Sequence, residues 1–288
     1  MKVKIITDSG NDLPREILER YSIDVVPLLV ILDGKEHTDG RDIDAQAVYD
    51  AIRAGKMPKT NQATPEAFKQ VLEPYASKEQ PCLYIGFSSE MSGTFQTGKL
   101  VAQQLAGKYP RWEANLVDSR SGSLGQGLLV LKAARMAEEG ASLAEIAESV
   151  SAKAGYMEHI FTVDDLNHLY RGGRLGKTSA MMGSILKIKP VLHIREGTME
   201  PLEKIRGKNK AIKRLVEIME QRCSGEEQVI GISHADDLDA ARTLRKVVEE
   251  RLGFKEFVVN VVGSVLGCHI GLGGVAVFFE SKTPQGQA

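Results

Sequence analysis

Short apolar runs alternate along the chain with stretches whose apolar residues recur every three or four positions, the two periods of strand and helix. Val3-Lys4-Ile5-Ile6-Thr7, Pro81-Cys82-Leu83-Tyr84-Ile85-Gly86-Phe87 and the segment 112–118 read as strands, the second of them buried. Each ends in a polar turn, and helical spacing follows. Pro14 opens a helix through about Tyr21, and the segments 122–139 and 143–154 carry two more, the last with Ser142 as a cap. Val25 to Leu32 is a further strand that Pro27 places at an edge or bulge, and Asp33-Gly34 marks a hairpin turn after it. Ala45 to Ala54 is helical and stops at Gly55, while Thr64 caps a helix that has Pro65 at its first position.

The second half repeats the alternation. His159 to Val163 is a strand, and Asp164-Asp165 starts a helix carrying Leu166, Leu169 and Tyr170. A helix through Met181, Met182, Ile185 and Leu186 precedes strands near 190–194 and 200–205. A helix to about Arg222, strand 228–233, helix 237–251 and strand 257–262 follow. Gly263 to Gly274 reads as a glycine-rich loop before a last strand, 275–280, and residues 281–288 read as a frayed tail. Strands alternating with helices predict an α/β protein of two domains. Residues 1–157 form a doubly wound, Rossmann-like sheet with its ligand site at strand carboxyl ends, and residues 158–288 a smaller α/β layer.

Composition narrows the function classes. At 288 residues the chain is long enough for two domains, and its 42% hydrophobic and 26% charged content is that of a soluble globular protein. A net charge of −1 gives no nucleic-acid or anionic-membrane footprint. Cys82, Cys223 and Cys268 are odd in number and far apart, which supports neither a disulfide framework nor a metal knuckle and fits a reducing cytoplasm. The expected location is cytoplasmic, with no secretory leader in the first residues, no apolar window of membrane-spanning length and at most transient membrane contact.

The chemistry concentrates in a few stretches. Ser88-Ser89-Glu90-Met91-Ser92-Gly93-Thr94 follows a strand and leads into a helix, and the unpaired N–H groups there favour an anion. One hydroxyl is accounted for by capping, but four exceed what one cap needs. In Lys59-Thr60-Asn61-Gln62-Ala63-Thr64, capping explains Thr64 and leaves Thr60 without a structural duty. Residues 171–178 approach a phosphate loop, but Arg171 replaces the first glycine and the preceding segment reads as helix. Residues 271–276 fit a dinucleotide fingerprint except that a strand follows where a helix is required. Ser92 lacks both glycines of a nucleophile elbow, and the six histidines show no zinc spacing. No metal or cofactor is expected. His168 and His193 read as surface or core residues, whereas His269, among glycines, has the setting to offer a ring nitrogen to an anion. Lys204, Arg206, Lys208, Lys210, Lys213 and Arg214 form a basic run, a pattern usual for a solvated helix face.

Thr7-Asp8-Ser9, Thr60 in Lys-Thr-Asn-Gln, Ser88 to Gln96, Leu169 to Gly176 and Gly267-Cys268-His269-Ile270-Gly271 together resemble the bacterial DegV family, in the family's order and nearly end to end. Asn61 stands where many members have serine, and Leu272 where proline is common. The resemblance implies a two-domain α/β protein that binds a long-chain fatty acid, its carboxylate held by Thr60, Ser92 and His269 and its chain in an apolar pocket at or near the domain interface. Ser89, Gly93 and Thr94 are expected as secondary donors. It further implies the acyl-carrying subunit of a fatty acid kinase, serving phospholipid synthesis, with a separate ATP-binding subunit making the acyl phosphate.

Burial of about sixteen carbons at ~0.8 kcal/mol each sets an upper bound near 12 kcal/mol, so the tail supplies affinity and the head orientation. Arg171 and Arg174 are expected at the mouth, meeting the phosphate, and Lys204, Arg206 and Lys208 at the face that docks the kinase. Two alternatives stand beside this reading: a serine hydrolase or acyl-phosphate enzyme using Ser92 and His269, and a lipid reservoir or sensor with no kinase.

Overall fold

The computed structural model describes residues 2–175, 188–225 and 227–285, and the helix expected through Met181, Met182, Ile185 and Leu186 lies outside them. The amino-terminal half contains β1 (Lys4–Asp8), α1 (Arg15–Arg20), β2 (Asp24–Val26), β3 (Leu29–Leu32), β4 (Lys35–Thr38), α2 (Ala45–Arg53), β5 (Lys59–Asn61) and α3 (Pro65–Ala76). It continues through β6 (Cys82–Gly86), α4 (Thr94–Lys108), β7 (Ala114–Asp118), α5 (Ser123–Glu138) and α6 (Leu143–Ala154). A four-stranded sheet in the order β2-β1-β6-β7 is parallel throughout, with Thr7 opposite Val25 on one side and Ile85 on the other. Every residue of β6 is buried, which is why its sequence is an unbroken apolar run rather than an alternating one.

The run Val25 to Leu32 is not one strand. It divides at Pro27 into β2 of the parallel sheet and β3 of a separate antiparallel sheet, β4-β3-β5. Proline has no N–H to extend a ladder. The chain turns there on the Ser9 side chain and backbone: Ser9 N donates to Val26 O (3.0 Å) and Leu28 N donates to Ser9 Oγ (3.0 Å). Once in the second sheet, Val30 pairs with Thr60.

The carboxyl-terminal half contains β8 (Met157–Thr162), α7 (Asn167–Arg171), β9 (Ile188–Arg195), β10 (Thr198–Arg206), α8 (Lys208–Arg222), β11 (Ile230–His234), α9 (Leu238–Leu252), β12 (Phe257–Val261), α10 (Ser264–Ile270) and β13 (Val275–Glu280). Its sheet runs β10-β9-β8-β13-β11-β12, and only β11 and β12 are parallel neighbours. The second layer, expected to be the smaller, therefore holds six strands against four in the parallel sheet.

Helix α5 joins the two layers. It packs on β1 and β6 of the parallel sheet and on β8, β11 and β13 of the mixed one, so Ser123 to Leu131 is buried without a break. Two glycines make that close approach possible. A Cβ on Gly125 would lie 2.1 Å from His159 Nε2, and one on Gly127 2.6 Å from the Asn11 carbonyl. Helices α8 and α9 cover the far face of the mixed sheet over their own core of Leu215, Met219, Leu244 and Phe279.

Residues 281–285 are not frayed. Ser281 N donates to Tyr156 O (2.9 Å), Gln285 N donates to Gly155 O (2.7 Å), and both side chains are buried.

Candidate functional site

Four segments distant in sequence converge between the sheets. Strand β5 presents Thr60, the turn after β6 presents Ser92, α10 presents His269, and the chain beyond α7 presents Arg174; all four line one pocket. Asn61 and Gln62 complete its polar end, and Leu28, Phe87, Met91, Met199, Val265 and Leu266 its apolar side.

The stretch 263–274 is not a glycine loop: Ser264 to Ile270 is helical, and Gly267 lets the helix lie against Tyr49, whose Oη a Cβ there would meet at 3.1 Å. Within this helix His269 is half-buried. Thr60 Oγ1 and His269 Nε2 share a hydrogen bond of 2.8 Å, which gives Thr60 the role that capping left open. Burial pushes the His269 pKa down to about 4, with the Arg174 and His168 charges adding to it, so the imidazole is neutral at physiological pH. His269 Nδ1 is buried and has no partner among the described residues. It faces Gly172, where a Cβ would lie 2.2 Å away.

The hydroxyl turn divides into two jobs. Ser92 Oγ lines the pocket, accepts from Thr94 N (3.2 Å) and shares a 2.9 Å bond with Thr94 Oγ1, which in turn accepts from Ala63 N (3.2 Å). Thr94 thereby ties the Thr60 segment to the Ser92 segment from beneath. Ser88 and Ser89 point elsewhere: Ser88 Oγ donates to Gly197 O (2.8 Å) on the β9–β10 turn, and Ser89 Oγ donates to Asp118 Oδ2 (2.5 Å). Gly93 caps α4 beside Gln62, whose Oε1 a Cβ there would meet at 2.1 Å.

The two expected arginines separate. Arg174 is half-buried in the pocket wall, donating from Nε to Met91 O (3.2 Å) and from Nη1 to Gly172 O (2.6 Å). Arg171 is exposed at the end of α7 and is not among the pocket-lining residues. In the basic run, Lys208 is drawn into an ion pair with Asp237 and donates to Gly273 O (2.9 Å), and Arg214 pairs with Glu203 (2.7 Å). Lys204 and Arg206 project from β10 and are exposed.

A second cavity adjoins the first. Met199 and Leu266 line both. Its wall is apolar, drawn from β8, β9, β12's end, α10 and β13, with Phe161, Ile194, Ile270, Val275, Ala276 and Phe278 prominent. His159 at its edge is held neutral, its pKa lowered to about 3 chiefly by burial. Of these prominent lining residues only Ile270 belongs to a motif that carries the resemblance. Gln62 and Met91 fell inside motif stretches without being singled out, whereas Met199 and Leu266 carried no signal in the sequence.

Among the described residues the Ser92 hydroxyl is engaged with Thr94 and the imidazole with Thr60, Ser92 and His269 share no hydrogen bond, and no carboxylate bonds the ring. Among the described residues no cluster of histidine, cysteine or carboxylate side chains could hold a metal ion, and no helix is long and apolar enough to cross a membrane.

Comparison with known proteins matches residues 2–282 to the family model described as "Uncharacterised protein, DegV family". A DegV domain-containing protein of Clostridium perfringens is 37% identical over 288 residues, covering 99% of each chain. Among solved structures, a DegV family protein from Thermus thermophilus described for fatty acid binding superposes with a TM-score of 0.89 at 31% identity, over 98% of this chain and 100% of its own. A fatty acid binding DegV family protein from Streptococcus agalactiae gives 0.85 at 31% identity, with the same coverage.

Proposed function

Because the chain belongs to the DegV family, we propose that it binds a long-chain fatty acid, with the carboxylate in the pocket of Thr60, Ser92 and His269 and the acyl chain in the apolar cavity. The observation that carries this reading is the shared wall: a polar pocket and an apolar cavity meet at Met199 and Leu266, the arrangement an amphiphile with one ionised end needs. The fatty acid binding described for the Thermus and Streptococcus relatives supports it. Residues 1–157 then supply the hydroxyl donors and residues 158–288 most of the acyl cavity, a Rossmann-like layer and a mixed sheet closing on one ligand between them.

The chemistry suits a carboxylate that must stay reactive. Hydroxyls and a neutral imidazole orient it with hydrogen bonds, while a buried ion pair would cost desolvation and withdraw its charge. Arg174 keeps its guanidinium at the pocket wall, where it can meet negative charge that develops during transfer. Gly93 and Thr94 act by shaping the Ser92 turn, and Ser89 belongs to the neighbouring strand end.

The protein presents its ligand to a separate ATP-binding kinase subunit, which makes the acyl phosphate. Arg171, Lys204 and Arg206 are the exposed cations available for that docking, and Lys208 shapes the face from within its ion pair. The protein itself works as a carrier.

Native mass spectrometry of the purified protein, with extraction of any bound small molecule, tests the binding. A stoichiometric long-chain fatty acid is expected; a protein that holds none and takes up none when offered sinks the reading. Adding a cognate kinase and ATP then separates carrier from reservoir, since only the carrier yields ligand-dependent acyl phosphate.

A further inference from the structure

Neither cavity includes Asp12, yet this buried residue on the β1–α1 loop ties the start of α10 to α5 and β12. Its Oδ1 accepts from Gly263 N (2.9 Å) at the start of α10, its Oδ2 accepts from Ser123 Oγ (2.6 Å) at the start of α5, and its carbonyl accepts from Asn260 Nδ2 (2.9 Å) on β12. Ser123 Oγ passes the network on to Ser233 Oγ at 3.2 Å. Beside it, Tyr49 Oη donates to Val262 O (2.8 Å). Helix α10 is only seven residues long and begins at a glycine with no side chain to cap it, and a carboxylate some 250 positions away takes the N–H of that glycine. A Cβ on Gly263 would lie 2.7 Å from Asp12 Oδ1, which shows how closely the two segments meet.

Helix α10 carries Val265 and His269 of the head pocket, Ile270 of the apolar cavity, and Leu266 of both. We infer that Asp12 is a positioning residue for the ligand: its carboxylate sets the seat of α10, and through it both the His269–Thr60 pair and the Leu266 wall. The inference rests on the carrier reading for its ligand, but the seat itself is a property of the fold.

Protonation state follows from the surroundings. The ionisable groups facing Asp12 are Asp39 and, from α2, Tyr49, with Cys268 of α10 beyond Asp39. Burial raises the Asp12 pKa to about 7, and the Asp39 charge adds to the rise against the bonds from Ser123 and Gly263. The bond from Gly263 N to the carboxylate is charge-assisted, but burial outweighs it, so the seated group holds its proton more tightly than a solvated one. The seat is therefore firmest with Asp12 protonated and loosens as pH rises through neutrality.

Hydrogen exchange over residues 264–270 and palmitate affinity, both measured from pH 6 to 8, test this in the full-length protein. In the wild type, affinity is expected to fall threefold or more from pH 6 to pH 8. Asp12→Asn, which keeps the shape without the charge, is expected to show the pH 6 affinity throughout. Asp12→Ala is expected to lose tenfold or more and to speed exchange across α10, and Gly263→Ala, which displaces the carboxylate from the other side, to follow it. A merely structural role would leave the pH profile intact in Asp12→Asn, and that result overturns the inference, as does slow exchange in α10 of Asp12→Ala. Should Asp12→Ala fail to fold, Asp12→Asn and Gly263→Ala decide the matter. Should the wild type take up no palmitate, the carrier reading falls, and exchange in α10 still tests the seat.

Discussion

The head pocket and the apolar cavity share two side chains and are otherwise built in opposite ways. The pocket is assembled from single residues on four separate segments, each fixed by a named hydrogen bond: Thr60 to His269, Ser92 to Thr94, Thr94 to Ala63, Arg174 to Met91. The cavity comes mostly from consecutive sheet positions, with Val275, Ala276 and Phe278 of β13 beside Phe161 of β8, held by ladder register. A few precise polar contacts can orient a ligand, while its affinity comes from area removed from water, which any well-packed apolar wall supplies. The difference predicts that changes in the cavity scale with the ligand's tail, and changes in the pocket with its charge.

The largest effect is expected from filling the cavity. Ala276→Phe, which excludes four or more methylenes at about 0.8 kcal/mol each, should weaken long-chain binding ~100-fold or more and leave butyrate binding unchanged. Calorimetry across a chain-length series reads this, and an equal loss for both acids would merge the two regions into one. Next is the pocket. Thr60→Val removes a hydrogen bond to a charged group, worth about 1.5–3 kcal/mol, and should cost the fatty acid ~10- to 100-fold but the alcohol of equal length far less. Equal losses for acid and alcohol would mean that the pocket does not read charge.

Acid stability is the third lever. His159, His193 and His269 are held near 3, 4 and 4 in the folded protein, against an ordinary 6.5. Below pH 6.5 the unfolded chain takes up these protons first, so stability is full above that value and falls as pH drops toward 4 and then 3. For His269 alone the loss at pH 5 is up to about 2 kcal/mol, and urea denaturation should show His269→Gln less sensitive over that window. Asp12 runs the other way: its raised value of about 7 against 3.8 favours the folded state below pH 4 and loses that contribution as pH climbs to 7. The smallest effect belongs to Ser89→Ala, which should change fatty acid affinity less than twofold because that hydroxyl serves Asp118. A tenfold loss in an uptake assay would return Ser89 to the pocket.

Local chemistry was legible where one residue type had to sit at one place. Thr64 with Pro65 and Ser142 start α3 and α6 as their caps predict, and the run Val275 to Glu280 is β13 to the residue. Thr60, Ser92, His269 and Arg174 were named from motifs and do meet in one pocket. Errors arose where a distant partner outweighed local propensity. The glycines around Cys268 read as loop because glycine disfavours helix, yet Gly267 is what lets α10 approach Tyr49. Residues 281–285 read as tail because they are polar, and they pack because Tyr156 and Gly155 offer carbonyls. Lys208 read as a surface cation, and Asp237 draws it in.

By itself the sequence determined the alternation of strands and helices, the caps and turns that bound them, and the residues fit to hold an anion, since these follow from properties of neighbouring residues. Only the tertiary structure decided that β2 and β3 belong to different sheets, that α5 is buried between two layers, and that Met199 and Leu266 stand where the pocket meets the cavity. The reason is physical: a cavity wall is made of ordinary apolar side chains, and what makes them a binding surface is the registration of strands and helices far apart in the chain, which close packing fixes and no local pattern encodes.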